Sequence, residues 1–331
     1  MKNWKLLIVV IAMLLLVLTA CGSKEEVSEE ANNSAETTTE TETATEEASA
    51  FPVTIKSTVE GYEDVTFEKA PEKIVVFDYG FLDTLDALGV DVMAVAKGNF
   101  PEHLTKYADD KYLNAGGLKE PLLEDIAAME PDAIFISGRQ GDFYDQLSEI
   151  APTVFVGTDS SNYYESFKAS VNIAAQLFDK QEEADAKLAE IEKALEEVKA
   201  VAANNGKALV TLYNETLSAY GPGDGSRYGH VHSVYGFAPA DETLENSTHG
   251  AKLSYEQVLE INPDVLFVID RVAATGGESN IKEAIENDII NKTTAAQNGK
   301  IVYLDGALWY LSGGGLQSEL LKIQEIIEEL Q

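Results

Sequence analysis

The sequence predicts an α/β protein: two Rossmann-like lobes with parallel-rich sheets, joined by a single long α-helix. Three observations carry the prediction. Short apolar runs alternate with helical stretches, one forty-residue stretch has helical periodicity without a single Gly or Pro, and an eighteen-residue segment recurs.

The expected strands are residues 73–78, 91–95, 133–136, 153–156, 208–212, 265–269 and 300–304. Most are continuous apolar runs such as Ala133-Ile134-Phe135-Ile136 rather than alternating ones. A strand apolar on both faces is covered on both faces, which is the condition of a parallel sheet flanked by helices.

The helical stretch is residues 164–203. Phe167, Val171, Ala174, Ala175, Phe178, Ala184, Leu188, Ile191, Leu195 and Val198 recur mostly at steps of three, four or seven, and Asn204-Asn205-Gly206 supplies a stop. At 1.5 Å per residue such a helix is roughly 55–60 Å long. That is too long for one crossover in a compact sheet. It reads as a strut between an N-terminal lobe, 51–163, and a C-terminal lobe, 204–331.

The recurring segment supports two related lobes. Residues 122–139, LLEDIAAMEPDAIFISGR, align without a gap to residues 254–271, SYEQVLEINPDVLFVIDR. Glu124 pairs with Glu256, Pro131 with Pro263, Asp132 with Asp264 and Arg139 with Arg271. Each copy is a helix, a Pro-Asp break and a buried strand ending in arginine. Open α/β sheets place their ligands at the carboxyl ends of strands.

The N-terminal fifty residues are of another kind. Lys2 and Lys5 precede an apolar run, Leu6 to Leu18, and Leu18-Thr19-Ala20-Cys21 closes it. This is the layout of a cleaved export signal over residues 1–20, and the run is shorter than the ~20 residues a spanning helix needs. The last four residues resemble a lipobox, with Cys21 the acylated position; an uncleaved anchor helix is the alternative. Cys21 is the only cysteine, so no internal disulfide forms. Residues 21–50 hold nine Glu against one Lys and no aromatic residue, the composition of a disordered acidic tether.

The formal net charge is -33, of which -27 falls on residues 51–331. Such a surface argues against nucleic acid and anionic lipid as partners and makes concentrated positive charge informative. Arginine is rare: Arg139, Arg227 and Arg271 are the only three, against twenty-one lysines. Two end the repeated strands. The third follows the turn Tyr220-Gly221-Pro222-Gly223-Asp224-Gly225-Ser226. A guanidinium suits desolvated contact with an anion, and three in one cleft form a polyanion site; three separate salt bridges are the competing reading. The Gly-rich turn lacks the Gly-Lys-Ser/Thr ending of a phosphate loop.

Of four histidines, His103 reads as surface, and His230 and His232 form a His-x-His that faces one side if it lies in a strand. His249 stands in Ser247-Thr248-His249-Gly250. A transition-metal site built on His-x-His needs a further ligand. No nucleophile elbow is visible, which gives hydrolase chemistry little support. Trp309-Tyr310, before Leu311-Ser312-Gly313-Gly314-Gly315, is either a core plug or a ligand-facing pair.

Ala219-Tyr220-Gly221-Pro222 through Ser226-Arg227-Tyr228-Gly229, Gly236 to Asp241, Ser247-Thr248-His249-Gly250, and Asn262-Pro263-Asp264 through Asp270-Arg271 together resemble the solute-binding lipoproteins of ABC importers for ferric siderophores. Within that class the chain looks most like the catecholate binders, including petrobactin-type proteins. The resemblance implies that Arg139, Arg227 and Arg271 line the cleft and meet an anionic ferric catecholate. It implies that His249 and Tyr310 complete the Fe3+ coordination when the siderophore is tetradentate, and that Glu124 and Glu256 dock on the permease. It further implies no permanently bound cofactor, an ABC permease with its ATPase as partners, a monomer, and a place outside the cytoplasm, lipid-anchored to the outer face of the cell membrane. Haem, a corrinoid or a bare transition metal are alternative ligands; an extracytoplasmic α/β enzyme is the alternative class.

Overall fold

The computed structural model describes residues 51–57 and 59–331. The signal, Cys21 and the acidic tether lie outside the described residues. No helix among the described residues is long and apolar enough to cross a membrane.

A small antiparallel hairpin, β1 (Val53–Ile55) with β2 (Val65–Phe67), precedes the first main sheet. That sheet comprises β3 (Ile74–Val76), β4 (Ala94–Val95), β5 (Leu113–Asn114), β6 (Ala133–Ile136) and β7 (Thr153–Phe155). All its pairings are parallel, in the order β5-β4-β3-β6-β7. The strand order therefore reverses between β3 and β6, which opens a crevice at their carboxyl ends. Helices α1 (Tyr79–Ala87), α2 (Leu123–Met129) and α3 (Tyr144–Ile150) connect the strands.

The second sheet runs β11-β9-β8-β12-β13, with β10 (Ala238–Pro239) added beside the start of β8. Strands β8 (Lys207–Asn214), β12 (Val265–Asp270) and β13 (Ile301–Leu304) are parallel. The pair β9 (Thr216–Ala219) and β11 (Ala251–Leu253) adds an antiparallel edge. Its helices are α6 (His230–Ser233), α7 (Tyr255–Ile261), α8 (Arg271–Ala274), α9 (Ile281–Ile285), α10 (Thr294–Gln297), α11 (Gly306–Leu311) and α12 (Leu316–Leu330). Val75, Ile134 and Phe135 of the first sheet and Val210, Phe267 and Ile269 of the second are buried, as continuous apolar strands require.

The single linking helix is corrected. The stretch forms two helices, α4 (Tyr163–Phe178) and α5 (Gln181–Asn205). Asp179 stands between them in the left-handed conformation, φ 52°, and the Lys180 N–H donates to the Ala175 carbonyl at 2.9 Å. That is the bond that closes a helix C-terminus. Aspartate tolerates this conformation better than most residues, so the chain breaks without Gly or Pro. The apolar stripe continues across the break and concealed it.

The sequence repeat is a structural repeat. Glu130 and Asn262 end α2 and α7, both left-handed, at φ 50° and 48°. Asp132 Oδ2 then accepts the Glu72 and Lys73 N–H groups at 3.0 and 2.9 Å, and Asp264 Oδ2 accepts the Lys207 N–H at 2.9 Å. Each Pro-Asp break thus pins the start of the neighbouring strand, β3 or β8, in register beside the strand that ends at its arginine.

Candidate functional site

The three arginines meet on one residue. Arg139 follows β6 and leads a short 3-10 turn, Gly138–Phe143. The buried Gln140 steadies that turn by accepting the Ser137 N–H at 3.0 Å and donating to the Leu118 carbonyl. Arg271 opens α8, whose first turn Asp270 caps through the Ala273 N–H at 3.0 Å. Arg227 sits on the Gly-rich loop, where its own N–H donates to the Ser247 carbonyl at 3.3 Å. Gly221 is required in that loop, because a Cβ there would lie 2.5 Å from the Leu244 carbonyl oxygen.

Arg139 Nη2 and Arg227 Nη2 each donate to the Tyr310 carbonyl at 2.8 Å. Arg271 Nε donates to the Tyr310 hydroxyl at 2.9 Å and its Nη1 to Asn214 Oδ1 at 2.8 Å. The guanidinium carbons of Arg227 and Arg271 also lie 4.3 and 5.2 Å from the Tyr310 ring centroid, within cation–π range. Among the described residues no arginine forms a salt bridge. The reading of three separate ion pairs therefore fails. Asp78 is the nearby acid on Arg139, and burial pushes its carboxyl up against the pull of the Phe81 N–H and Arg139.

Positive charge is concentrated here, with no carboxylate in salt-bridge contact, and the titrations follow. Burial and the Arg227 charge lower the Arg139 guanidinium from its ordinary value. Burial alone would raise the Tyr310 phenol, but the Arg271 hydrogen bond and the three guanidinium charges outweigh it and bring the phenol below its ordinary value. A cavity of about 310 Å³ is lined by Arg139, Arg271 and Tyr310 together with the turn Gly117–Glu120. The arrangement can hold a polyanion and present an oxygen donor that ionises more easily than a free tyrosine.

The Trp-Tyr pair divides between its two expected roles. Trp309 is core, its indole N–H donating to Glu325 Oε2 at 2.6 Å, whereas Tyr310 faces the arginines. His249 is exposed on the turn before β11, held through its carbonyl, which accepts the Tyr220 hydroxyl at 3.4 Å. Its ring makes no hydrogen bond to the arginines or Tyr310.

The other histidines differ from expectation. His230 and His232 lie on α6, not in a strand. His230 is buried, stacked on Tyr163 with ring centroids 4.1 Å apart, and close to Trp309 at 6.0 Å. Burial, then the Lys322 charge, push its imidazole down to about 3. The Arg227 carbonyl lies nearby, but neither ring nitrogen reaches a hydrogen bond of good geometry. His232 Nδ1 lies 2.9 Å from the Phe237 carbonyl oxygen, and burial lowers its imidazole. No group of three or more His, Cys, Asp or Glu suited to a metal ion occurs among the described residues. His103 is not surface: its side chain is 13% exposed and its Nε2 lies 3.5 Å from the buried Asp83 carboxylate. The acid it faces lies twenty residues earlier, on α1, so the residues next to His103 carried no signal. Sequence reasoning also missed Asn214, Gln140 and the Gly117–Glu120 turn; an Asn ending a strand level with Asp270-Arg271 was the one available hint.

The profile of the periplasmic binding proteins matches residues 74–308. The chain is 45% identical over 267 residues to the petrobactin-binding protein YclQ of Bacillus subtilis, covering 80% of this chain and 84% of YclQ. The crystal structure of YclQ superposes with a TM-score of 0.80 at 43% identity, covering 84% of this chain and 98% of that one. The ferric-anguibactin-binding protein FatB of Vibrio anguillarum is 33% identical over 269 residues, covering 79% of this chain and 83% of FatB. With a profile match across both sheets and relatives of this identity over four-fifths of its length, the chain belongs to the periplasmic binding protein family.

Proposed function

We propose that this protein is the extracytoplasmic substrate-binding component of an ABC importer and captures a ferric catecholate siderophore of the petrobactin-like or tetradentate kind. One observation carries the reading: three arginines without carboxylate partners clasp one tyrosine at the rim of a cavity, in a protein otherwise strongly acidic. A ferric catecholate is a compact polyanion, and guanidinium groups free of salt bridges neutralise it. The names of YclQ and FatB, both binders of iron chelates or their siderophores, support the same class. Binding, not turnover, is the work of the site.

With a tetradentate siderophore Fe3+ has open positions. Tyr310, already biased toward phenolate, takes one; His249, exposed on its turn, takes the other by a movement of that turn. With a hexadentate siderophore both become contacts to the ligand. Cys21 is the lipid attachment to the outer face of the cell membrane, residues 21–50 the tether, and the lobes 51–163 and 204–331 hold the ligand in a largely preformed cleft that closes only modestly. The monomer presents Glu124 and Glu256, exposed on the first turns of α2 and α7, to the permease and its ATPase.

The test is a titration of the protein lacking residues 1–50 with a ferric tetradentate catecholate, followed by tryptophan quenching and the charge-transfer band, with haem and Zn2+ in parallel. Tight catecholate binding with a band shift that Tyr310→Phe abolishes is expected. Binding of haem or Zn2+ in its place would overturn the reading.

A further inference from the structure

Among the described residues, every hydrogen-bond acceptor of the three arginine side chains is neutral. Arg139 and Arg227 share the Tyr310 carbonyl, and Arg271 donates to the Tyr310 hydroxyl and to Asn214 Oδ1. The chain holds 57 Asp and Glu, so this neutrality is not what composition alone would place there. The two acids at the strand ends beside these arginines face other partners. Asp270 accepts the Ala273 N–H at 3.0 Å and caps α8. Asp78, whose charge acts on Arg139, accepts the Phe81 N–H at 2.9 Å and caps α1. Neither forms a salt bridge with an arginine.

Asn214 occupies the third strand end. It is the last residue of β8, beside the strand β12 that ends in Asp270. Its pairing with Thr216 closes the β8–β9 hairpin, with Glu215 between them at φ 62°. The hairpin therefore fixes the backbone from which the Asn214 amide reaches Arg271. Asn214 takes Nη1 at 2.8 Å and Tyr310 takes Nε at 2.9 Å. Bonds on two nitrogens set the plane of the guanidinium. An aspartate is the same size and would accept the same N–H, in a stronger, charge-assisted bond. An amide oxygen accepts that N–H without bringing a charge. The side chain present is thus the one that orients Arg271 and leaves its charge whole.

We infer that Asn214 is a positioning residue that sets the charge class of the ligand: its neutral amide aims Arg271 at a polyanionic chelate without neutralising it. The inference rests on the function proposed above and names the residue that tunes its selectivity. A carboxylate at this position would act against a polyanion in two ways. It would pair with Arg271, and it would face the incoming anion with a like charge, which is how binding sites reject a class of ligand. A chelate with no negative charge would meet neither obstacle.

The experiment measures the Kd of the full chain for a trianionic ferric catecholate and a cationic ferric hydroxamate, by tryptophan quenching, in the parent, Asn214→Asp and Asn214→Ala. Asn214→Asp is expected to weaken the catecholate at least about tenfold and to leave the hydroxamate unchanged or tighter. Its Tm should be unchanged or higher, because the new carboxylate pairs with Arg271, and the catecholate deficit should shrink as salt is added. Asn214→Ala removes the acceptor and adds no charge, so it should weaken the catecholate by only about threefold or less. A catecholate Kd for Asn214→Asp within about twofold of the parent overturns the inference. So does an equal loss in Asn214→Ala, which would assign the effect to geometry alone, and so does an equal loss for both chelates in Asn214→Asp, which would mean general damage to the site. A parent protein that binds neither chelate refutes the importer reading and this inference with it, and the parent alone shows that result.

Discussion

Tyr310 concentrates the chemistry of the cleft because its two ends are used differently. Its carbonyl gathers Arg139 and Arg227 from separate segments, and its hydroxyl takes Arg271. The guanidinium charges favour the phenolate, so Tyr310 should titrate below the ordinary 10.0. A difference titration of tyrosinate absorbance, parent against Tyr310→Phe, reads this; an early-titrating tyrosine retained in the variant would contradict it. His230 makes the opposite kind of prediction. Its folded pKa is depressed to about 3 against an ordinary 6.5. Between those values the unfolded chain binds the extra proton, so stability is full above about 6.5 and is lost as pH falls through the window, by about 2 kcal/mol at pH 5. His230→Phe keeps an aromatic ring between Tyr163 and Trp309 and should flatten the loss between pH 7 and 5 in denaturant melts. The arginines were legible because they are scarce and two of them end the repeat. That they converge on Tyr310 was not legible, since their contacts span from 39 to 171 residues of chain.

At the scale of elements, the buried strands were read from composition alone, because a strand covered on both faces has no polar residues to spare. All seven expected strands are present. The short pieces β1, β2, β5, β9, β10 and β11 were missed, being two to four residues long and, for β5, β10 and β11, exposed or half-exposed. The repeat was readable because each Pro-Asp break performs the same task, its carboxylate holding the backbone where a neighbouring strand begins. The linking helix was misread because its break uses Asp179, not glycine. Left-handed backbone costs a residue with a Cβ roughly 1–2 kcal/mol. Asp179→Gly is therefore expected to raise stability by up to about 1 kcal/mol and Asp179→Ala to lower it by about 1 kcal/mol. Urea melts of the two variants check the sign, and a stabilised alanine variant would mean that the two helices prefer to be one.

At the scale of the molecule, the two sheets face each other across a cleft already bridged. Arg139 reaches Tyr310 across it, and Asn99 Nδ2 donates to the Ala273 and Ala274 carbonyls at 3.1 and 3.0 Å, at the end of the helix that Arg271 begins. Behind the cleft, the buried Asp83 accepts the Gln317 and Ser318 N–H groups at 2.9 and 2.6 Å, tying α1 to the start of α12. Joined at front and back, the lobes have little freedom to swing. Solution scattering from the free and ligand-bound protein should nearly superimpose, and a domain-scale change in the profile would contradict that. The parallel-rich sheets followed from the sequence; the bridges between them did not, because each joins segments more than 170 residues apart.

Selection of a polyanionic iron chelate by the clasped arginines would show itself as charge discrimination. The affinities of a trianionic ferric catecholate and a cationic ferric hydroxamate are compared in the parent protein and in the combined Arg139→Gln, Arg227→Gln, Arg271→Gln variant. Hydrogen bonds to charged groups contribute about 1.5–3 kcal/mol each, so the parent is expected to favour the trianion by at least about a thousandfold and the variant to lose that preference while remaining folded. Equal affinity of the parent for the two chelates, or an undiminished preference in the variant, would contradict the account.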